Sequence, residues 1–389
     1  MIVIGLAIGP LFHVVDPTLF EGYASLIATI TLILVLFDTG LTLNIFDTTK
    51  SFGTAFVFTL LVLVFSTLLI GAFFAFILGW NLLHALLMGI VSSGSTTIVS
   101  ASLLPRLKMP TKIQQILFLE SVINDVTLIT AALVLLQIID LGTLNVHEVA
   151  TALVYPLSIA VVAGLLFSVL WVNILWKFYR GTDLAYVFTI GLLFILFPIV
   201  ELMGGNGAIA VFVLALSLGN LPFVLGRVFE ESDSIDTRII SHYQERFSEI
   251  VKRIKESEIT FTFLIQNFFF VYLGVIFDVE HANYLLIGTC VVILTLMFIS
   301  RYVSARVLSI FKPEVKPHVT LMASMVARGF TSTFVALLPS TKGIDVPLFK
   351  EIVLAMVLFS TIVTMVGSII YELKPHRGAR TMDRNPQIE

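Results

Sequence analysis

Two acidic side chains stand in an otherwise apolar stretch of this chain. Glu120 and Asp125 lie within residues 118–126, and Leu, Ile, Thr, Ala and Val continue from there to Gln137. A charged side chain at the centre of a bilayer costs about 3 kcal/mol on insertion scales. Carboxyl groups that are kept at such a cost usually mark an ion or proton pathway. The stretch therefore predicts a membrane segment that handles ions.

The spacing of the polar residues around these carboxyls places them on one side of a helix. Residues four apart stack one turn above each other, so Glu120 stacks with Asn124, and Ser121 with Asp125. A hard cation such as Na⁺ takes oxygen ligands, which carboxylates, hydroxyls and carbonyls provide. Burial also favours the neutral form of a carboxyl group. We therefore expect Asp125 to hold either a cation or a proton, and competition for one carboxyl is sufficient for exchange.

A run of small polar residues, Val-Ser-Ser-Gly-Ser-Thr-Thr-Ile at 91–98, interrupts a second apolar stretch. Glycine, serine and threonine weaken a helix, and hydroxyl side chains can bond the freed backbone groups. Local unwinding here would expose backbone carbonyls as cation ligands, as in the broken helices of secondary transporters. The alternative explanation is that small residues allow neighbouring helices to pack closely.

Three further charged residues lie at or inside apolar runs. Arg301 and Arg328 are potential partners for a buried carboxylate such as Glu120, because a buried Glu–Arg pair is a common structural arrangement. Arg301 has a second interpretation, as the first cytoplasmic charge of a polar loop. Asp38 is either a helix-end carboxylate at the membrane interface or an acidic residue on the access path to an ion site, and we expect the second.

The composition is that of an integral membrane protein. Apolar residues make up 58% of the chain and charged residues 13%, and the mean hydropathy is +1.02. These values exclude an ordinary soluble domain and predict a single all-α polytopic membrane domain over 1–389. Twelve apolar runs approach the roughly 20 residues that cross a hydrocarbon core of about 30 Å. They cover roughly 2–15, 22–45, 52–79, 82–104, 112–138, 150–176, 183–201, 205–222, 259–278, 282–310, 317–340 and 347–372.

Basic residues orient these segments. Lys and Arg collect in alternate loops, from Lys50 to the tail beginning at Lys374, and the intervening loops carry almost none. The positive-inside rule then places the C-terminus in the cytoplasm of a multi-pass protein of the cell membrane. It also supports the count of twelve, because one missed helix would invert every later loop. The chain begins inside an apolar run without a signal-peptide pattern, so it either starts in the membrane or lacks an upstream helix.

One long polar connection, about 226–258, separates the two halves of the chain. Its apolar residues recur at three- and four-residue steps, which predicts an amphipathic helix on the cytoplasmic face. A linker is the simpler interpretation of this segment, and regulation or membrane-surface binding is the alternative. The lone Cys290 and the scattered His give no disulfide framework and no metal-ligand spacing. No basic stripe suggests nucleic acid, and we expect no organic cofactor.

Four stretches of the chain resemble the monovalent cation/proton antiporter family, specifically the prokaryotic sodium/proton antiporters related to animal sodium/proton exchangers. They are 36–43 (Leu-Phe-Asp-Thr-Gly-Leu-Thr-Leu), 120–125 (Glu-Ser-Val-Ile-Asn-Asp), 204–220 and 327–330 (Ala-Arg-Gly-Phe). Their order and separations match the family from end to end. The resemblance implies a dimeric helix bundle surrounded by lipid, with a core of inverted repeats whose broken helices cross at the midplane. It also implies that the family's first helix is missing here.

The resemblance implies roles for individual residues. Asp125 resembles the aspartate that binds Na⁺ or a proton, with Asn124 beside it and Ser121 as a ligand hydroxyl. Glu120 and Arg301 resemble a buried pair that holds the core together. Asp38 takes the place of an acidic residue near the ion path. Arg328 is a candidate for a charged residue in the core.

One departure from the family lies in the segment expected to unwind. The family usually has Thr-Asp-Pro there, whereas Ser95 and Thr96 occupy the places of the threonine and the aspartate. Hydroxyls thus replace a carboxylate, and we expect Ser95 and Thr96 to contribute oxygen ligands. Fewer fixed charges predict weaker binding or a different ion.

Together these features predict a secondary active antiporter that exchanges Na⁺ (or Li⁺) for H⁺. Exchange is expected to be electroneutral, because Asn124 and Thr96 leave Asp125 as the carboxyl that carries charge at the site. K⁺/H⁺ exchange is the related alternative. A channel or a sensor with the same fold is another, although rings of charge and a carbonyl filter sequence are absent from the sequence. An intramembrane enzyme would need a paired catalytic constellation, whereas these acidic residues pair better with Arg and Asn.

Overall fold

The structure, a computed structural model, describes residues 1–15, 23–43, 49–107, 109–142, 146–178, 184–230, 237–276, 284–341, 343–344 and 346–373. Within these ranges the chain forms helices and no strand. The α-helices are α1 (Ile2–Leu6), α2 (Ala24–Thr42), α3 (Thr49–Ala72), α4 (Leu82–Val91), α5 (Thr97–Leu103), α6 (Thr111–Leu141), α7 (Val146–Phe178), α8 (Leu184–Leu202), α9 (Gly207–Glu230), α10 (Thr237–Val275), α11 (Tyr284–Phe311), α12 (Val319–Ser324), α13 (Phe330–Thr341) and α14 (Phe349–Leu373). Wider π-helical turns extend α1 to Leu11 and α3 to Ile77.

Seven of the described helices are long and apolar enough to cross a membrane, and five shorter apolar helices accompany them. These helices fall on the twelve apolar runs predicted from the sequence. Many of their large apolar side chains are exposed on the outside of the bundle, as expected of surfaces that face lipid. The predicted all-α polytopic membrane fold is therefore confirmed.

Two of the twelve runs are divided into pairs of short helices. Helices α4 and α5 are separated by residues 92–96, and α12 and α13 by residues 325–329. At the first break the hydroxyls of Ser92 and Ser93 donate to the carbonyls of Met88 and Ile90, each at 2.7 Å. The same two carbonyls also accept the backbone N–H groups of Ser92 and Ser93, so side chain and backbone together hold the last turn of α4 at the break.

The two unwound segments cross and bond to each other. The backbone N–H of Thr96 donates to the carbonyl of Ala327 at 3.1 Å, and the guanidinium of Arg328 donates to the carbonyl of Ser92. The hydroxyl of Ser332 donates to the carbonyl of Val91 at 3.1 Å. No water is available at the centre of a bilayer, so these contacts replace the hydrogen bonds that the helix breaks release.

Helix α14 supports the second break from the other side. The hydroxyl of Thr364 accepts from the backbone N–H of Ala327 at 2.7 Å and donates to the carbonyl of Ser324 at 3.0 Å. The hydroxyl of Ser360 accepts from the backbone N–H of Arg328 at 3.0 Å. Two side chains of one continuous helix therefore hold the extended segment in place.

Helix α10 joins the polar connection to the membrane domain. The connection predicted over about 226–258 lies partly outside the described residues, which end at Glu230 and resume at Thr237. From Thr237 a single helix runs to Val275, so the amphipathic stretch and the apolar stretch after it are continuous. Ile250 and Ile254 are buried, which places one face of this stretch against the bundle.

Helices α2 and α9 pack closely because glycines remove side chains from their interface. A Cβ atom on Gly40 would lie 2.6 Å from the Cβ of Ala215. A Cβ atom on Gly219 would lie 2.7 Å from the carbonyl oxygen of Leu41. These distances leave no room for a methyl group, so the two backbones are in direct contact, as at other small-residue interfaces in membranes. The contact fixes the part of α2 that carries Asp38.

We predict that Gly40→Ala destabilises the protein. In an unobstructed helix this change stabilises by about 0.5–1 kcal/mol, whereas overpacking a tight contact costs about 1–3 kcal/mol. The matched control is Gly191→Ala in α8, where an added Cβ meets nothing within 4 Å. Thermal unfolding in detergent should give a lower Tm for Gly40→Ala and an unchanged or higher Tm for Gly191→Ala. Equal Tm values would show that the α2–α9 contact is not tight.

Candidate ion-binding site

Asp125 lies on α6 where the two helix breaks cross. The side chain is buried, with 5% of the residue surface exposed. One carboxylate oxygen accepts from the hydroxyl of Thr97 at 2.7 Å, and the other accepts from the hydroxyl of Thr331 at 2.6 Å. Thr97 is the first residue of α5, and Thr331 is the second residue of α13. Both broken helices thus contribute one hydroxyl to the same carboxyl group.

A cavity of about 430 Å³ reaches Asp125 from one side of the bundle. Aromatic side chains, Phe118, Phe263 and Phe330, form part of its wall. Carboxyl and hydroxyl groups form another part of the wall, and they come from five different parts of the chain. They include Asp38, Thr39, Thr42, Thr96, Thr97, Asp125, Thr262 and Thr331. The cavity therefore connects two carboxyl groups through a surface rich in hydroxyl oxygens.

A bidentate ion pair lies one to two turns away from Asp125 on α6. Nη1 and Nη2 of Arg301 donate to the two oxygens of Glu120 at 3.0 and 3.1 Å. Nε of Arg301 donates to the carbonyl of Met322 at 3.1 Å, and the hydroxyl of Ser95 donates to Glu120 at 2.9 Å. Arg301 and Glu120 are 0% and 1% exposed. The pair ties α6 and α11 to the first helix break and to α12, which leads into the second break.

Arg328 occupies the crossing itself and is also buried. Its guanidinium donates to the carbonyl of Ser92, directly after the last residue of α4. The C-terminal end of a helix carries partial negative charge, which a cation stabilises. Nε and Nη1 of Arg328 are buried without a hydrogen-bond partner among the described residues. Arg328 thus places positive charge among the backbone carbonyls of the break.

Some of the remaining predicted residues lie near Asp125, and others form hydrogen bonds elsewhere. Asp38 and Thr96 line the cavity together with Asp125, and Thr96 packs against Gly329 of the other break. The amide of Asn124 is buried with no hydrogen-bond partner in the described part of the chain. Ser121 is directed elsewhere, because its hydroxyl donates to the carbonyl of Phe118 in its own helix at 2.7 Å.

Ser95 is also directed elsewhere, because its hydroxyl bonds Glu120 rather than Asp125. The sequence interpretation missed the two hydroxyls that contact Asp125. Thr97 follows the predicted pair Ser95 and Thr96 by one residue, and Thr331 follows the family-like stretch 327–330 directly. Their positions next to these motifs were the feature of the sequence that could have indicated a contact with Asp125.

The fold and this site together define a secondary transporter built on crossing broken helices. A family model described as sodium/hydrogen exchanger, transmembrane, matches residues 1–370. The chain belongs to the sodium/hydrogen exchanger family, which is a family of transporters. The family resemblance seen in the sequence is confirmed, and the predicted sodium/proton antiport is the activity for which the family is named.

Solved structures of a related protein share the fold. The structure of the sodium proton antiporter MjNhaP1 from Methanocaldococcus jannaschii at pH 8 is 19% identical, with a TM-score of 0.74. The match covers 95% of this chain and 88% of that chain. A 3D electron-microscopy map of the same antiporter gives 20% identity, a TM-score of 0.63 and coverage of 95% and 87%. Among curated proteins, none matches the chain.

We predict that Glu120→Ala lowers stability rather than acting only on transport. The change leaves the guanidinium of Arg301 buried without its carboxylate, which costs about 3–5 kcal/mol. Tm in detergent should fall clearly and should recover in part when Arg301→Ala is added, because the second change removes the unpaired charge. A Glu120→Ala protein as stable as the parent but inactive in transport would assign Glu120 to the ion pathway.

Proposed function

We propose that the protein exchanges Na⁺ or Li⁺ for H⁺ electroneutrally, with the two ions competing for the carboxyl of Asp125. The observation that carries the proposal is a buried carboxyl held by one hydroxyl from each broken helix. No basic side chain of the described residues forms an ion pair with it. A carboxyl in this setting needs a proton or a cation to neutralise it, and either one fits.

The contacts of Asp125 suit both occupants. A threonine hydroxyl can donate one hydrogen bond and also accept through its lone pairs. With the carboxyl ionised and no cation bound, Thr97 and Thr331 both donate to its oxygens. With a proton on one oxygen, the threonine hydroxyl at that oxygen can turn and accept from the carboxyl O–H. With a cation present, both hydroxyls can rotate and present their oxygens to it, next to the carboxylate that supplies the charge. Asn124 and Thr96 add a carbonyl and a hydroxyl oxygen within the same region.

The number of carboxyls supports an electroneutral exchange. Asn124 stands beside Asp125, and Thr96 stands where the resemblance places a second carboxylate. At the crossing of the two helix breaks, Asp125 then exchanges one cation for one proton in each cycle. The exchange rate should not respond to an imposed membrane potential while the pH difference is held constant.

Basic loops support an orientation for the cavity. It lies against the end of α2 that precedes Lys50 and against the part of α10 that follows the polar connection. The first loop carries Lys50 and the polar connection carries several Arg and Lys, so we assign both loops, the C-terminus and the cavity mouth to the cytoplasmic side of the cell membrane. The family resemblance further supports a homodimer surrounded by lipid, which works in pH homeostasis.

One observation favours K⁺/H⁺ exchange as a second candidate function. Thr96 supplies a hydroxyl in place of a carboxylate, and a weaker negative field discriminates less against a large cation. Dissipation of a pH difference in proteoliposomes, with Na⁺, Li⁺ and K⁺ tested separately, distinguishes the two functions. Na⁺ and Li⁺ exchange predicts faster dissipation with those ions than with K⁺, whereas the reverse order would select K⁺/H⁺ exchange.

We predict that Asp125→Asn abolishes exchange while the protein stays folded, because the amide keeps the shape but cannot ionise. The control is Asp140→Asn near the exposed end of the same helix, which should transport like the parent. The measurement is Na⁺-driven proton flux in proteoliposomes, with elution from a sizing column as the test of folding. Full flux through folded Asp125→Asn would remove Asp125 from the mechanism.

A further inference from the structure

Glu258 is a third buried carboxyl group, besides Glu120 and Asp125, and the sequence interpretation left it in the polar connection. It lies on α10 within Ser248–Val275, a stretch long and apolar enough to cross a membrane, and is 0% exposed. One of its oxygens accepts from the hydroxyl of Thr262, one turn further along. Its other oxygen, Oε2, is buried with no hydrogen-bond donor among the described residues. Such an atom in a native structure calls for an explanation, since leaving it unsatisfied costs about 1–3 kcal/mol.

Asp38 faces Glu258 from α2. The two carboxyl groups interact directly, side chain to side chain. Oδ1 of Asp38 is likewise buried without a donor. Two carboxylates in contact repel each other when both are ionised, and neither can donate a hydrogen bond. One proton between them supplies the missing donor and removes one of the two charges.

A third unsatisfied atom belongs to the same cluster. The hydroxyl oxygen of Tyr186 on α8 is buried without a partner in the described structure, and it lies close enough to Glu258 to interact with its charge. Buried polar atoms that converge in this way usually surround a proton, a water or an ion. Carboxylate, hydroxyl and phenol oxygens are the ligands that hard cations take.

We propose that Asp38 and Glu258, with the hydroxyl of Thr262, form a second exchange site that holds one proton or one monovalent cation. The proposal rests on the proposed antiport function, which it deepens. Asp38 and Thr262 line the same cavity as Asp125. A cation that enters the cavity therefore binds first at this pair, where it displaces a proton, and then moves on to Asp125.

The charges around the pair fit this role. Lys255, one turn before Glu258, interacts with Asp38 and offsets one negative charge. With one proton on the pair, this group of three is neutral. One cation in place of that proton leaves the total charge unchanged, so the second site keeps the exchange electroneutral. The titratable groups that face the pair are thus Lys255 on α10, Tyr186 on α8 and, across the cavity, Asp125 on α6.

Proton release on cation binding tests the proposal, because a carboxyl that exchanges a proton for a cation must release that proton. NaCl is added to the purified full chain in weakly buffered detergent solution, and a pH-sensitive dye reports the released protons. Choline chloride at equal ionic strength gives the background. The proteins are the parent, Asp125→Asn, Glu258→Gln, and Asp125→Asn combined with Glu258→Gln. The matched control combines Asp125→Asn with Glu256→Gln, an exposed glutamate two residues away on the same helix.

The second site predicts that Asp125→Asn still releases about half of the protons that the parent releases, since one of two such sites remains. The combined Asp125→Asn and Glu258→Gln protein should release none above background, and the Glu256→Gln control should match Asp125→Asn. If Glu258→Gln does not fold, Asp38→Asn replaces it.

Two results would overturn the proposal: no release from Asp125→Asn, or undiminished release after Glu258→Gln is added. If Asp125 is not an exchange site, so that the proposed function fails but the second site exists, the expected result is different. The parent and Asp125→Asn would then release equally, and Glu258→Gln alone would still lower the signal.

Discussion

A bilayer core offers no hydrogen-bond partners, so each backbone group that a helix break releases must find its partner within the protein. The two breaks in this chain meet that requirement by bonding to each other and to α14. Thr96 bonds Ala327 through the backbone, and Arg328 bonds the carbonyl of Ser92. Thr364 bonds the last residue of α12 and the middle of the second break. Each break therefore depends on the other, and the crossing is a single structural unit.

The site is a consequence of that crossing. Both half-helices begin at the same place, and each directs a hydroxyl at Asp125. The ion pair between Glu120 and Arg301 fixes α6 next to the breaks, because Ser95 of the first break and the carbonyl of Met322 in α12, just before the second break, bond to it. Of the two buried carboxyls of α6, Glu120 is thus paired with a cationic side chain, and Asp125 is left with neutral donors. This difference in partners makes Glu120 a structural charge and leaves Asp125 free to exchange its proton or cation.

Much of the fold could be predicted from the sequence, because long apolar runs and alternating basic loops are strong signals in membrane proteins. The weakening of the helix at 91–98 was also predictable from its composition. Which hydroxyls face Asp125 was not, because side-chain direction in an unwound segment follows no helical period, and a shift of one residue exchanges Thr96 for Thr97. Glu258 was missed for another reason. It sits at the edge of a polar connection in the sequence, and its carboxyl partner, Asp38, lies far away along the chain.

The most direct test of the account is an infrared difference spectrum of the purified protein with and without Na⁺ near neutral pH. If a cation displaces the proton of Asp125, Na⁺ should remove a C=O stretching band of a protonated carboxyl group. Asp125→Asn should lack that component of the difference spectrum, and choline should not produce it. The same band loss in Asp125→Asn, or no loss in the parent at saturating Na⁺, would contradict competition at this carboxyl.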